Sequence, residues 1–358
     1  MKRGKLSLTD KFGQMILLGL DVYDINEEII KIIEDFHIGG VVLYKKNYTS
    51  LETMTKFINK LKEINKNNIP MFISIDQENG RVNRLPKDVE RMYNALKQSE
   101  TKDLKVITEI NKITTFLLKS VGVNMNFAPV LDIYRSDKNK AIGNRSYGTN
   151  INDIINYGLP FMKEMQKNNI VSVIKHFPGH GATNKDSHFV LPKINDLKSL
   201  EKEDIKVFES AFKYGADVLM IGHLVIKGYG NKPASINKNI ISKYLSNYNG
   251  LLVTDDLRMN ALRLFRSTKK NIIRSIEAGN NLIMVKYQKG DYKLYKKLAK
   301  LVNNCEIDIE AIDKSANKIL QFKEKYKVNN DLITNHLDID KINKRIKIIN
   351  EYIDKIVS

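Results

Sequence analysis

Short apolar runs recur along the chain at residues 15–20, 40–44, 71–75, 123–127, 170–174, 217–221, 251–254 and 282–285. Their length and their bounding polar or glycine residues predict eight β-strands. Between them, apolar residues repeat with helical spacing at 26–36, 50–64, 103–118, 152–166, 202–214, 240–245 and 271–278. Strand and helix thus alternate throughout, which implies a parallel sheet. Wholly apolar strands such as Val171-Ser172-Val173-Ile174 and Val218-Leu219-Met220-Ile221 favour an α/β fold of the (β/α)8 TIM-barrel type over an open sheet. No G-x-G-x-x-G turn follows the first strand, which counts against a dinucleotide-binding fold. After residue 305 the pattern is helical only. Ile339, Ile342, Ile346, Ile349, Ile353 and Ile356 form one apolar stripe, read as a terminal helix docked on the barrel, with a dimer helix as the alternative. The expected organisation is a catalytic barrel over 1–330 with a C-terminal helical extension, 331–358, in the same domain.

Composition narrows the class. The chain has 358 residues, a formal charge of +18 and one cysteine, Cys305. Lys and Arg are spread along its length rather than gathered, so no nucleic-acid partner is expected. The basic surface would instead favour an anionic substrate or cell-wall polymer. No apolar run is long enough for a membrane span or an export signal. A monomer in a reducing compartment, the cytoplasm, is the expectation.

Polar residues collect where a barrel carries its chemistry, at the carboxyl ends of the strands. Strand three runs into Asp76-Gln77-Glu78, strand four leads to Asn126 and Asp132, and strand five runs into Lys175-His176. Strand six ends at His223 and strand seven at Asp255-Asp256. A single Asp at such a turn could cap the following helix, and His223 reads equally as a satisfied structural residue or a ligand. Lysine and histidine are poor caps, so the whole ring points to a site. Strand alternation allows only one of Asp255 and Asp256 to face the barrel axis.

Three of the six histidines fall in residues 175–188, KHFPGHGATNKDSH. This stretch resembles the signature K-H-[FI]-P-G-[HL]-G-x4-D-[ST]-H of family 3 glycoside hydrolases of the β-N-acetylglucosaminidase type. Supporting segments occur in the family's order: Asp76-Gln77-Glu78-Asn79-Gly80-Arg81-Val82, Asn126-Phe127-Ala128-Pro129-Val130-Leu131-Asp132, Ile142-Gly143-Asn144-Arg145-Ser146-Tyr147 and Val253-Thr254-Asp255-Asp256-Leu257. The resemblance covers roughly residues 7–325. It implies that Asp255 is the nucleophile, His188 the general acid/base and Asp186 the partner that orients it. It further implies that Asp76, Arg84, Arg145, Lys175 and His176 hold a terminal N-acetylglucosamine, and His223 is taken as an additional sugar contact. Asn79 stands where the family more often has Gly, and Ala182 where it often has Asp.

The implied reaction is retaining hydrolysis through a glycosyl-enzyme, without metal or cofactor. A histidine beside a carboxylate serves first as acid and then as base. Asp186 and His188 are two apart, so an extended segment would put both on one side. Pro178, Gly179 and Gly181 exclude helix there and suit a loop that closes over sugar. The implied substrate is a small carbohydrate, an N-acetylglucosaminide such as a muropeptide or another peptidoglycan fragment. Phosphate in place of water as acceptor is open, because a neutral histidine repels an anion less than a carboxylate does. So is a β-glucosidase or β-xylosidase on the same fold. A metal-dependent hydrolase would use His176, His180, His188, His223 and an aspartate, but Gly19-Leu20-Asp21 stands where such barrels place an early His-x-His pair. A non-catalytic glycan-binding barrel is disfavoured by the presence of Asp255, Asp186 and His188 together.

Overall fold

The computed structural model describes residues 6–66, 69–183, 191–265, 267–334 and 336–357. Barrel strands β1 (Ile16–Leu20), β2 (Gly40–Leu43), β3 (Phe72–Ile75), β4 (Met125–Asn126), β5 (Val171–Phe177), β6 (Val218–Ile221), β7 (Leu251–Thr254) and β8 (Ile283–Lys286) form one parallel sheet, with β8 paired to β1. Apart from Lys286, every residue in these strands is buried. Burial on both faces, inside the barrel and under the helices, explains why their sequences are apolar runs rather than alternating ones.

The sheet closes as a (β/α)8 barrel at a seam between β7 and β8, through a Val253–Leu282 bridge. Side chains supply part of this joint. Asn281 Oδ1 accepts from Leu252 N–H at 2.9 Å, Thr254 Oγ1 from Met284 N–H at 3.1 Å and Asp256 Oδ1 from Lys286 N–H at 3.0 Å. A separate pair of two-residue strands, Lys193–Ile194 and Val225–Ile226, lies outside the barrel. Strand β5 runs past its expected end to include Lys175 and His176, with a register shift between Ile174 and Phe177.

The helices begin where a short polar side chain meets the start of an apolar stripe. Asn26, Ser50, Asp103 and Ser267 each accept from a backbone N–H of the first turn. Two helices read from the sequence as continuous instead contain π turns, at Ile154–Gly158 and Leu200–Asp204.

The last helix, Ile339–Ile356, lies on the barrel. Ile346 and Ile353 are fully buried, while Ile339, Ile342 and Ile349 are partly buried against the core. Only Ile356 of the stripe is exposed. The helix packs against Leu104–Ser120 and ties down the connection after β3. Asn343 donates to Asp88 O at 2.7 Å and accepts from Glu90 N–H at 2.7 Å, and Asn350 donates to Arg91 O at 2.8 Å.

Candidate active site

The connection after β3 is organised by a buried glutamine. Gln77 Oε1 accepts from the N–H groups of Arg84 and Leu85 at 2.8 and 3.1 Å, and its Nε2 donates to Asn79 and Asn83. Its own peptide is held on both sides by the Asn126 amide at 2.9 Å. Asn79 has φ +72°, the left-handed region that favours glycine and that Asn tolerates better than most residues. This turn aims Asp76 and Glu78 at the barrel mouth.

Lys175, on β5, donates to Asp76 Oδ1 at 2.8 Å and pairs with Glu78 Oε1 at 2.5 Å. Arg145, on a short turn after β4, grips both oxygens of Glu78 at 2.7 Å in a fork geometry. Burial works to raise the Glu78 carboxyl, but Arg145 and Lys175 outweigh it and hold it well below the usual carboxylate range. Glu78 is therefore a fixed anion beneath the mouth.

Behind this pair, buried Asp132 accepts from His176 Nδ1 at 2.6 Å and from the N–H of His180 at 2.6 Å. Burial works to raise the Asp132 carboxyl, but its interactions with His176 and His180 together outweigh it and hold it below the ordinary value. His176 Nε2 lies 3.4 Å from Arg145 Nη2. Burial depresses His180 to about 4, against the attraction of Asp132, so its ring is neutral at neutral pH.

At the end of β7 the two aspartates diverge as strand alternation requires. Asp256 is buried, accepts from the N–H groups of Arg258 and Lys286, and is raised by desolvation. Asp255 is the more exposed of the two, and its Oδ1 accepts from Asp256 N–H at 2.8 Å. Tyr44, just beyond β2, reports how close these groups lie. Burial raises its phenol, the carboxylates of Asp256, Asp76 and Asp255 raise it further, and Arg84 opposes them. Asp76, Glu78, Arg145, Lys175 and His176 thus form one connected group at the strand ends, and Asp76, Arg84 and Asp255 all act on Tyr44.

His223 differs from expectation. It is fully buried, with Nδ1 against Ser235 Oγ at 2.7 Å and Nε2 against Asp256 O at 2.8 Å, so both ring nitrogens are engaged within the protein. The structure gives it the satisfied, structural form. Asp186 and His188 lie outside the described residues. Among the described residues, no group of three or more His, Cys, Asp and Glu side chains is arranged to hold a metal ion. Sequence reasoning passed over Glu78 as a site residue. Its role shows only in the structure, where buried Lys175 and nearly buried Arg145 are two cations that Asp76 alone cannot neutralise.

A family model described as "Glycosyl hydrolase family 3 N terminal domain" matches residues 7–322. The chain belongs to glycosyl hydrolase family 3. Within that family it is 27% identical over 333 residues to "Beta-hexosaminidase A" of Pseudoalteromonas piscicida, an alignment covering 83% of this chain and 55% of that protein. The chain therefore spans little more than half the length of that relative. It is 28% identical to "Beta-hexosaminidase" of Psychromonas ingrahamii, covering 75% of this chain and 81% of the relative. Its fold matches that of a family 3 beta-N-acetylglucosaminidase from a Paenibacillus species with a TM-score of 0.90 at 29% identity, over 97% of this chain and 68% of the other. No helix among the described residues is long and apolar enough to cross a membrane.

Proposed function

We propose that the protein is a retaining exo-β-N-acetylglucosaminidase that removes a terminal β-linked N-acetylglucosamine, from peptidoglycan-derived fragments such as muropeptides. One observation carries the reading. Asp255, a partly exposed carboxylate, shares the barrel mouth with the Asp76–Lys175–Glu78–Arg145 network, in which buried charges already hold one another in fixed directions. A sugar whose hydroxyl groups bond to Asp76, Arg84, Arg145, Lys175 and His176 would be fixed over a nucleophile in the same opening. The names of the family relatives support N-acetylhexosaminides as the substrate class.

In this reading Asp255 attacks the anomeric carbon while His188, oriented by Asp186, protonates the departing oxygen. The same histidine then takes a proton from the water that releases the sugar. His223 contributes indirectly, by holding the peptide of Asp256 next to the nucleophile. A cytoplasmic monomer is the setting the reading assumes, to be checked by cell fractionation and size-exclusion chromatography.

The test is turnover of 4-nitrophenyl β-N-acetylglucosaminide and of the corresponding β-glucoside, with and without phosphate, followed by NMR of the first anomer released. Turnover of the N-acetyl substrate to a β-product is expected, with loss of activity in His188→Ala. Turnover of the glucoside alone, or an α-product, overturns the reading, and release of a sugar 1-phosphate makes phosphate the acceptor.

A further inference from the structure

Lysine and arginine are spread along the sequence, but the fold gathers four of them at the rim of the mouth. The turn that leaves β2 carries Lys45, and the connection after β3 carries Arg84, Lys87 and Arg91. Hydrogen bonds fix the two segments against each other: Tyr48 Oη donates to Arg84 O at 3.0 Å, and Leu51 N–H donates to Asp88 Oδ2 at 2.9 Å. On its far side the connection is held by Asn343 and Asn350 of the last helix. Lys45, Lys87 and Arg91 are exposed, and Arg84 is half-buried.

None of these four side chains forms an ion pair or a hydrogen bond with a described residue. The acids of the same segments are engaged elsewhere. Asp88 accepts from Leu51 N–H, Glu90 lies 3.8 Å from Lys347 of the last helix, and Asp21 is shared between Lys46 and Lys286. The crowding is felt at Lys45, whose ammonium is lowered by burial and then by repulsion from Arg91, Arg84 and Lys87. Lys318 and Lys323, by contrast, are lowered by burial alone. Like charges on one rim repel one another, and a cleft lined by one sign of charge draws ligands of the other.

The cluster begins where the proposed sugar site ends. Arg84 acts on the Tyr44 phenol together with Asp76 and Asp255, and Tyr44 immediately precedes Lys45. The inner network is balanced, with Asp76 and Glu78 set against Arg145 and Lys175, which suits the uncharged hydroxyl groups of a sugar. The rim carries cations without matching anions, which suits a charged group. In an exo-acting enzyme the retained sugar occupies the enclosed end, and the part that leaves extends outward past the rim.

We propose that Lys45, Lys87 and Arg91, continuing outward from Arg84, form a subsite for a carboxylate on the leaving portion of the substrate. The guanidinium of Arg91 offers a planar fork that matches a carboxylate, and the two lysines add mobile point charges. This subsite rests on the proposed glycosidase reading and deepens it: the substrates become N-acetylglucosaminides whose leaving sugar is acidic.

Two disaccharides test it: N-acetylglucosaminyl-β-1,4-N-acetylmuramic acid, and the same molecule with its carboxyl group converted to the amide, which removes the charge and keeps the shape. For the wild type, kcat/KM should be about 5- to 20-fold higher for the acid at low ionic strength, and the ratio should fall as salt is added. The double variant Lys87→Ala, Arg91→Ala should bring the ratio to within about twofold of unity and leave kcat/KM for the amide within about twofold of wild type. A control, Lys296→Ala with Lys297→Ala, removes the same charge from exposed positions on the helix Asp291–Asn303 and should keep the wild-type ratio. A wild-type ratio of one overturns the proposal, as does an equal fall on both substrates in the rim variant. The same loss of preference in the control also overturns it, since the attraction is then that of the whole chain. Cleavage of the amide by the wild type upholds the underlying reading independently. If the wild type cleaves neither disaccharide, that reading falls and the subsite with it.

Discussion

The two ends of the barrel handle buried charge differently. At the carboxyl ends of the strands, Asp76, Glu78, Arg145 and Lys175 are paired in a continuous network whose members neutralise one another. At the amino ends, fully buried Lys323 donates to Gln14 Oε1 at 2.6 Å and lies 5.1 Å from the centroid of the Phe72 ring. Burial alone drives Lys323 down to about 7. One end thus keeps its charges by pairing them, and the other leaves a lysine close to neutrality. A paired network holds direction as well as charge, which is what a sugar-binding floor requires.

The largest effect expected at the mouth is that of Asp255→Ala, a fall in kcat of roughly 10^4-fold, measured on an aryl N-acetylglucosaminide with the melting temperature unchanged within a few degrees. Retained activity would remove Asp255 as nucleophile. Glu78→Gln comes next, because it leaves Arg145 and Lys175 with too little countercharge. A loss of about 3–5 kcal/mol in denaturant-induced unfolding is expected, together with a sharp fall in activity. The sign with pH is fixed by the direction of the shift. Glu78 is held below its unfolded value, so its contribution is complete above about pH 4.5 and fades as pH falls below that. The difference between wild type and Glu78→Gln should therefore be flat from pH 8 to pH 5 and shrink in stronger acid.

Away from the mouth, Ile346→Ala empties a buried position under the last helix. It should cost about 2–5 kcal/mol of stability by denaturant titration with little change in KM. Lys323→Met sharpens the contrast most directly, since it should stabilise the protein by about 1–4 kcal/mol without altering activity. With a folded-state value near 7, the native protein binds fewer protons than the unfolded chain from about pH 7 to pH 10.5. The penalty of the buried lysine is therefore complete below pH 7 and relieved as pH rises. The gain from methionine should follow the same course, and a gain independent of pH would mean that Lys323 titrates normally.

The contrast between the ends was only half legible in the sequence. All eight strands and the ring of polar strand ends could be read, because each depends on a local pattern of apolar run and polar stop. Asp255 and Asp256 could be assigned to opposite faces by alternation alone. The pairing of Glu78 with Arg145, by contrast, joins positions on different loops, and nothing local to either states it. His223 shows the limit from the other side: its two ring partners, Ser235 and the Asp256 carbonyl, decide between structural and ligand roles.

The seam between β7 and β8 is a joint that the barrel makes partly from side chains. Peptide groups knit most of the other joints, although the Asn124 and Asn126 amides also bond across from β4 to β3. At the seam Asn281, Thr254 and Asp256 supply hydrogen bonds from side chains, and each can be altered by a single codon change. The joint adjoins Asp255. A single substitution at any of the three can therefore loosen the hold on the strand that carries Asp255.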